Sequence, residues 1–507
     1  MFTSLLLAAV AAGPAPFAQH AAHPAPTPPP ADPHAGHAMP PAPAQATPTD
    51  PHAGHRSTPP ATGPHIGHRM APVATQPADP DPHAAHRSSG SPAPATDLHA
   101  GHATQATVDH GAMDHGAMGH GGMRMSDAGA AYGSGTALLP LAGGTMTGAH
   151  AATGGWSLMA HGYAWVVTTE QSGPRGDDMS FVQSMGMLMA DHDLSDTTHL
   201  QLRAMMSLEP LMSRRGYPNL LATGETAFGV PLVDRQHPHD LFMELAARLE
   251  VAIGDNSRLI LYGGPVGEPA LGPAAFMHRV SARYLPLAPI THHWFDSTHI
   301  TYGVATAGWR TRTWQIEGSV FTGREPDEER WNLDTPRFDS WSVRASWTPS
   351  PNLVAQFSHA RLKEPEAQHP GEDERRTTAS VHYATPRISA TVAWSLKDRV
   401  PGEQLPAWLV EANWSAGGGH NLFARGERVS NDELFPDHDD PLHDRTFRVA
   451  RGELGYAYRL SLAEPLNLAL GGSAFATAVP RAIERTYGDG LGWSLFAKLT
   501  LGDIGAR

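Results

Sequence analysis

From residue 155 onward the chain is written in one rhythm. Apolar and polar residues alternate in runs of about ten, the period of a β-strand. Sixteen runs are legible: 155–169, 179–192, 198–210, 241–253, 258–264, 294–306, 309–322, 338–347, 353–362, 377–384, 387–396, 407–415, 420–429, 447–459, 466–477 and 492–501. The connections between them alternate in length. Short ones fall at 193–197, 254–257, 307–308, 348–352, 385–386, 416–419 and 461–465. Long polar ones fall at 170–178, 211–240, 265–293, 323–337, 363–376, 397–406, 430–446 and 478–491. A soluble sandwich has no reason to sort its loops by length. A transmembrane barrel does, with short turns on one side and long loops on the other. The expected fold is all-β: a 16-stranded antiparallel transmembrane barrel over 155–507.

The faces agree with that reading. In 241–253, Leu241, Met243, Leu245, Ala247, Leu249, Val251 and Ile253 share one side, while Glu244, Arg248 and Glu250 share the other. A one-residue slip would move the charges into lipid, so register is well specified. Trp294, Trp309, Trp341, Trp347, Trp394, Trp408, Trp414 and Trp493 lie near strand ends, where interfacial girdles form. Such barrels commonly end on an aromatic residue. This chain runs on to Arg507 instead, leaving Phe496 as a substitute.

The lumen then receives Arg203, Glu209, Glu244, Arg248, Glu250, Glu317, Arg344, Glu411, Arg425, Glu427, Arg451 and Glu453, a mixture suited to ion pairs across the barrel. Met and His gather on the first strands. Met159 and His161 share a face, as do Met185, Met187 and Met189, and as do His199 and Met205. Three neighbouring strands therefore offer soft ligands to one part of the lumen, although Met is also a common apolar filler. The 211–240 loop ends with His237 and His239 flanked by Asp234 and Asp240, and the 265–293 loop contains His278 and ends in His292-His293. These two loops are the candidates to fold inward and constrict the barrel.

The N-terminal quarter is of another kind. Its first 125 residues hold 15 of the 31 histidines. Ten stand in five His-x-x-His pairs: His34 with His37, His52 with His55, His65 with His68, His83 with His86, and His99 with His102. The tract ends in a denser phrase that carries His110, Met113, His115, Met118, His120, Met123 and Met125. Imidazole suits Cu(II), Zn(II) and Ni(II), and thioether selects Cu(I). Copper is the expected metal, with Zn(II) or Ni(II) as alternatives. Residues 19–130 have almost no large apolar side chains and are expected to be disordered. Residues 1–18 read as a secretory signal peptide, though the n-region lacks Lys and Arg. Residues 131–154 read as a linker.

The chain has no cysteine and a formal net charge of −14. This excludes disulfides and thiolate zinc sites, and argues against nucleic acid as partner. No nucleophile elbow, phosphate loop or zincin motif is present, so no enzymatic activity is expected. The phrase Met113-Asp114-His115, with Asp109-His110 and Met118 around it, resembles the copper-resistance protein B family of Gram-negative outer membranes. That family joins a signal peptide, a Met-Asp-His-rich tract and a C-terminal barrel. The resemblance covers the leader and not the barrel. It implies an outer-membrane protein with a periplasmic leader that binds copper and contributes to copper tolerance or export. The alternative is a porin-like channel for another small solute, with a metal-buffering tail. In either case the expected partners are metal ions and outer-membrane lipids.

Overall fold

The computed structural model describes residues 129–504. Sixteen antiparallel strands close into a barrel, each paired with its neighbours in sequence. They are β1 (Trp156–Gln171), β2 (Asp178–Ser195), β3 (Thr198–Met206), β4 (Phe242–Ile253), β5 (Ser257–Gly267), β6 (Thr301–Thr311), β7 (Trp314–Phe321) and β8 (Ser340–Ser350), then β9 (Leu353–Leu362), β10 (Asp373–Ala384), β11 (Ile388–Val400), β12 (Gln404–Gly417), β13 (His420–Asn431), β14 (Phe447–Ala463), β15 (Leu466–Ala478) and β16 (Leu491–Leu501). Strand β16 closes the ring on β1, from Gly492 opposite Gln171 to Leu501 opposite Gly162.

Alternation sorts side chains as the pattern requires. Val166, Val182, Leu188, Leu202, Ile316, Val343, Phe357, Leu454 and Leu495 stand exposed on the outside, while Gln315, Glu317, Glu411 and Asn413 are buried inside. A continuous apolar exterior of this size is costly in water and is the surface that lipid covers. Among the described residues no helix is long and apolar enough to cross a membrane.

Five local expectations are corrected. The turn expected at 307–308 lies after β6, at 312–313, because alternation continues through Ala307 and Gly308, and the Thr311 hydroxyl accepts the Trp314 amide. The strand expected to begin at Trp294 begins at Thr301, and Trp294 is buried with its indole N–H donating to the Leu405 carbonyl. It belongs to no interfacial girdle. Met243 is not on the lipid side: a register shift between Phe242 and Glu244 turns it inward, where it is fully buried. Phe496 also faces the lumen, edge-on to Trp165 at 5.4 Å. The connection 401–403 is brief because β11 and β12 extend beyond the expected strands.

The lumen is filled. Segments 207–241 and 268–300 fold into it, as expected of a constriction, and build an apolar core with the wall. Leu220, Leu221, Leu285, Leu287, Ile290 and Phe295 from these segments pack with Trp165, Phe181, Leu409 and Phe423 of the strands. The ion pairs do not span the lumen. Those on the wall run along it, within one strand or between adjacent strands, such as Arg203–Glu244 at 3.1 Å and Arg344–Glu317 at 3.1 Å. Side chains on opposite walls are too far apart to meet once loops occupy the centre. Arg279 of the infolded segment makes the bridge instead, 2.6 Å from Glu411 of the wall and 3.0 Å from Asp296 of its own segment.

Residues 131–154 are not an open linker. Ala130–Tyr132 and Leu138–Pro140 form a hairpin held inside the short-turn end. Arg203, Arg310 and Gln315 donate to its carbonyls at Gly135, Ala130 and Thr136. Tyr132 stacks under the Arg248 and Arg310 guanidiniums at 3.7 and 4.6 Å. Sequence reasoning missed this element because its anchors are lumen residues far away in the chain. Ala149–Thr153 then pairs with the start of β1, and Met146–Thr147 pairs with Asp503–Ile504.

Candidate metal centre

Five imidazoles from the infolded segments meet inside the barrel: His237, His239, His292, His293 and His299, all buried. His237 and His239 precede β4. His292 and His293 open a single helical turn, α1 (His292–Phe295), and His299 follows it. Ring centroids lie 5.2 Å apart for His292–His293, 5.1 Å for His292–His299, 5.3 Å for His239–His299 and 5.9 Å for His237–His293. His237, His292 and His293 each offer a ligand atom, and these atoms lie within 4.8 Å of one another. Bonds to a zinc-class ion are about 2.0–2.1 Å, so three ligands sharing one ion in tetrahedral geometry lie about 3.4 Å apart. The rings would close by up to about 1.4 Å on binding.

The partners of Nδ1 are consistent around the cluster. In His237 it faces the Pro238 carbonyl at 3.2 Å, in His239 the Glu209 carboxylate at 2.8 Å, and in His299 the Asp296 carbonyl at 2.6 Å. In His293 it faces Glu325 at 3.2 Å, and in His292 it lies 3.4 Å from Asp296 Oδ1. The partners of His237, His239 and His299 only accept, which places a proton on Nδ1 of each of these rings. Metal-bound histidines are oriented in this way. The Nε2 atoms of His239 and His299 are buried with no hydrogen-bond partner, an arrangement that costs about 1–3 kcal/mol per group when nothing fills it, and Nε2 of His237 lies 3.4 Å from a Glu225 carboxylate oxygen.

Burial, with Arg330 and the neighbouring imidazoles, holds His237 well below the usual histidine pKa. Burial lowers His292, against the pull of Asp296, and lowers His299 together with His292 and His239. These three are neutral and able to ligate. Burial also disfavours charge on His293, but the Glu325 carboxylate outweighs it and lifts that imidazole to about 9, so a metal ion bound there must displace its proton. The carboxylates are themselves fixed: Arg330 lies 2.8 Å from Glu225 and 3.1 Å from Asp240. Gly224 makes room for His293. A Cβ there would lie 2.4 Å from the ring, and its φ of +113° suits glycine alone.

A second cluster adjoins this one. Met185, Met187, Met205 and Met243 are buried together, with Met146, Met189 and Met277 packed around them. The turn Phe276–His278 joins the two. Phe276 packs on His239, His292 and His299, and Met277 packs on the thioethers.

The candidates named from the sequence are thus divided. His237 and His239 enter the imidazole cluster. Met185, Met187 and Met205 enter the thioether cluster with Met189 at its edge, and His161 stands opposite Met187. Met159 is only half-buried, opposite Met189 and His150. His199 is held by Asp191 at 3.1 Å and Asp193 at 2.8 Å, and joins neither cluster. The leader candidates lie outside the described residues: His34 and His37, His52 and His55, His65 and His68, His83 and His86, His99 and His102, then His110, Met113, His115, Met118, His120, Met123 and Met125. So do the signal peptide and nearly all of the 19–130 region. Sequence reasoning flagged His292-His293 only as a loop end. It missed His299, which it placed within a strand, and Met277, while it put Met243 on the lipid face. His438 and His443 pack on each other at 4.3 Å in the 432–446 loop, apart from either cluster.

No family model matches the chain, and no curated protein matches it either. Among solved structures it is similar to OmpF of Salmonella typhi in complex with daunomycin, at 8% identity and a TM-score of 0.45, over 69% of this chain and 100% of that one. It is also similar to OprB of Pseudomonas putida, at 11% identity and a TM-score of 0.45, over 69% and 94%. An anion-selective porin from Comamonas acidovorans is similar at 10% identity and a TM-score of 0.42, over 69% and 100%.

Proposed function

We propose that the protein is an outer-membrane barrel that binds copper, through its His/Met-rich leader and through the imidazole cluster in its lumen, and so contributes to copper tolerance or export. The role is one of binding and passage, without catalysis. The carrying observation is the set of His237, His292 and His293, whose ligand atoms converge within 4.8 Å while their Nδ1 atoms face fixed acceptors. Imidazole donors in this number suit Cu(II), and Zn(II) or Ni(II) with it.

The composition of the leader supports the same reading. The Gly129 carbonyl accepts the Leu141 amide, and the Ala142 amide donates to Pro351 in the turn between β8 and β9, so the described residues begin at the short-turn end. In an outer-membrane barrel that end faces the periplasm, and on this reading the leader samples periplasmic metal. The copper-resistance protein B resemblance of Met113-Asp114-His115 fits this arrangement.

Equilibrium dialysis of the detergent-solubilised full chain against Cu(II) and Zn(II) tests the proposal. The H292Q/H293Q variant is expected to bind one equivalent less than the parent, with the leader equivalents retained. Equal capacity in both proteins, with the barrel intact, would remove the lumen site.

A second reading rests on a cavity of about 630 Å³ at the long-loop end, lined by Arg324, Glu325, Asp327 and Arg337 among others. It would receive a small polar solute. The filled lumen below it favours the metal reading, and solute uptake into liposomes that is indifferent to copper would reverse that preference.

A further inference from the structure

We infer that the barrel holds a second metal site of opposite character: a thioether–imidazole pocket for a soft monovalent cation, Cu(I) in the cell. It is built on the row that His161, Met187 and Met205 form across β1, β2 and β3. In the register of the sheet His161 lies directly opposite Met187, and Met187 directly opposite Met205. Directly opposed residues on one face bring their side chains into contact range. All three are buried in the lumen. Met185 lies one step along β2, and the irregularity at the start of β4 turns Met243 into the same cluster.

Packing alone accounts for thioethers, since methionine fills irregular space well. It does not account for the imidazoles beside them. His278 is completely buried, and neither of its ring nitrogens has a hydrogen-bond partner. His161 meets the Thr147 carbonyl with Nδ1 at 3.2 Å and leaves Nε2 buried and unpartnered. An apolar filler would have been the cheaper residue at both positions. Neutral imidazole nitrogens beside clustered thioethers are the donor set that selects Cu(I) over harder divalent ions. Of the neighbouring cations, Arg203 is neutralised by Glu244 at 3.1 Å, which lowers the repulsion a bound monovalent ion would meet, and Lys498 stands on the His161 side.

The barrel would then sort copper by oxidation state. The five-histidine cluster takes the divalent ion, the thioether pocket the monovalent one, and the Phe276–His278 turn stands between them. No electron transfer between the sites is implied.

The probe is Ag(I), a redox-silent stand-in for Cu(I), titrated into the full chain by calorimetry with Zn(II) titrated separately. The M187L/M205L variant keeps side-chain volume and apolar character. It is expected to lose one Ag(I) equivalent while keeping its Zn(II) equivalents. X-ray absorption of the silver-loaded parent is expected to show a higher sulfur coordination number than the variant, whose remaining sulfur scattering comes from the leader methionines. The single change M187L, a smaller perturbation, is expected to weaken that equivalent at least tenfold, so the test survives a folding failure of the double variant. Unchanged silver stoichiometry and sulfur scattering in a folded variant would overturn the site and leave methionine as filler. Loss of Zn(II) binding in H292Q/H293Q with silver binding intact would separate this site from the imidazole centre. Intact Zn(II) binding in that variant would count against the imidazole centre alone.

Discussion

At the scale of single residues, the imidazole centre depends on one missing methyl group and one guanidinium. Gly224 leaves the space that the His293 ring occupies. In G224A the Cβ must displace the ring or the backbone must leave a conformation that costs about 1–3 kcal/mol for a residue with a side chain. We expect divalent-ion affinity to fall by about 5- to 150-fold, as an energy of that size implies. Isothermal titration would read it, with heat-modifiable gel migration reporting the intact barrel. Arg279 acts differently. It compensates Glu411 and Asp296 together, each deeply buried, and Asp296 in turn positions His292 and His299. R279M leaves Asp296 without its guanidinium and Glu411 with Arg425 alone, a loss of about 3–5 kcal/mol for a broken buried pair. Unfolding of the variant in micelles should begin at markedly lower urea. An unchanged midpoint would show that water reaches these carboxylates.

At the scale of elements, the inner hairpin is the most exposed to pH. Glu268 packs against Gly135 of that hairpin, and Ser134 hydrogen-bonds its carboxyl. Burial raises the group to about 8, against the favourable charges of Arg344 and Arg203 and with the opposing charge of Glu244. The unfolded carboxyl titrates near 4.5. The folded protein therefore holds the extra proton between about 4.5 and 8, and stability falls as pH rises through that window. The contribution is complete below 4.5 and gone above 8. Limited proteolysis near residue 129 should accelerate as pH climbs from 5 to 9, and E268Q should flatten the profile. A flat profile in the parent would mean that Glu268 is ionised in the folded state.

At the scale of the whole molecule, the question is whether a filled barrel conducts. The core built by 207–241 and 268–300 occupies the lumen from one end, and the 129–144 hairpin from the other. Planar-bilayer recordings of the full chain should show no steady open channel, and removal of 269–299 should produce one. Steady conductance in the parent would favour the porin-like reading. The leader adds a capacity of its own. Binding needs neutral imidazole, whose reference pKa is about 6.5, so the leader's Cu(II) equivalents should disappear between about pH 7 and 5 while those on Met113, Met118, Met123 and Met125 persist for Cu(I). Comparing the full chain with a form lacking 30–125 isolates this contribution.

By itself the sequence determined the class of fold, the number of strands and most faces. Those follow from local alternation, and a slip of one residue would bury charge in lipid. The inward position of Glu317 and Glu411 and the outward position of Ile316 and Val410 were legible for that reason. So was the gathering of Met185, Met187 and Met205, because the consecutive strands β2 and β3 must be neighbours. The imidazole centre was not legible. Its ligands come from segments with no period to read, and His237 meets His292 and His293 only because two long loops fold into a closed ring instead of standing over it. The bulge that turns Met243 inward and the hairpin that seals the short-turn end were hidden likewise. Each is decided by packing and hydrogen bonds between residues distant in the chain, and these exist only once the barrel has closed.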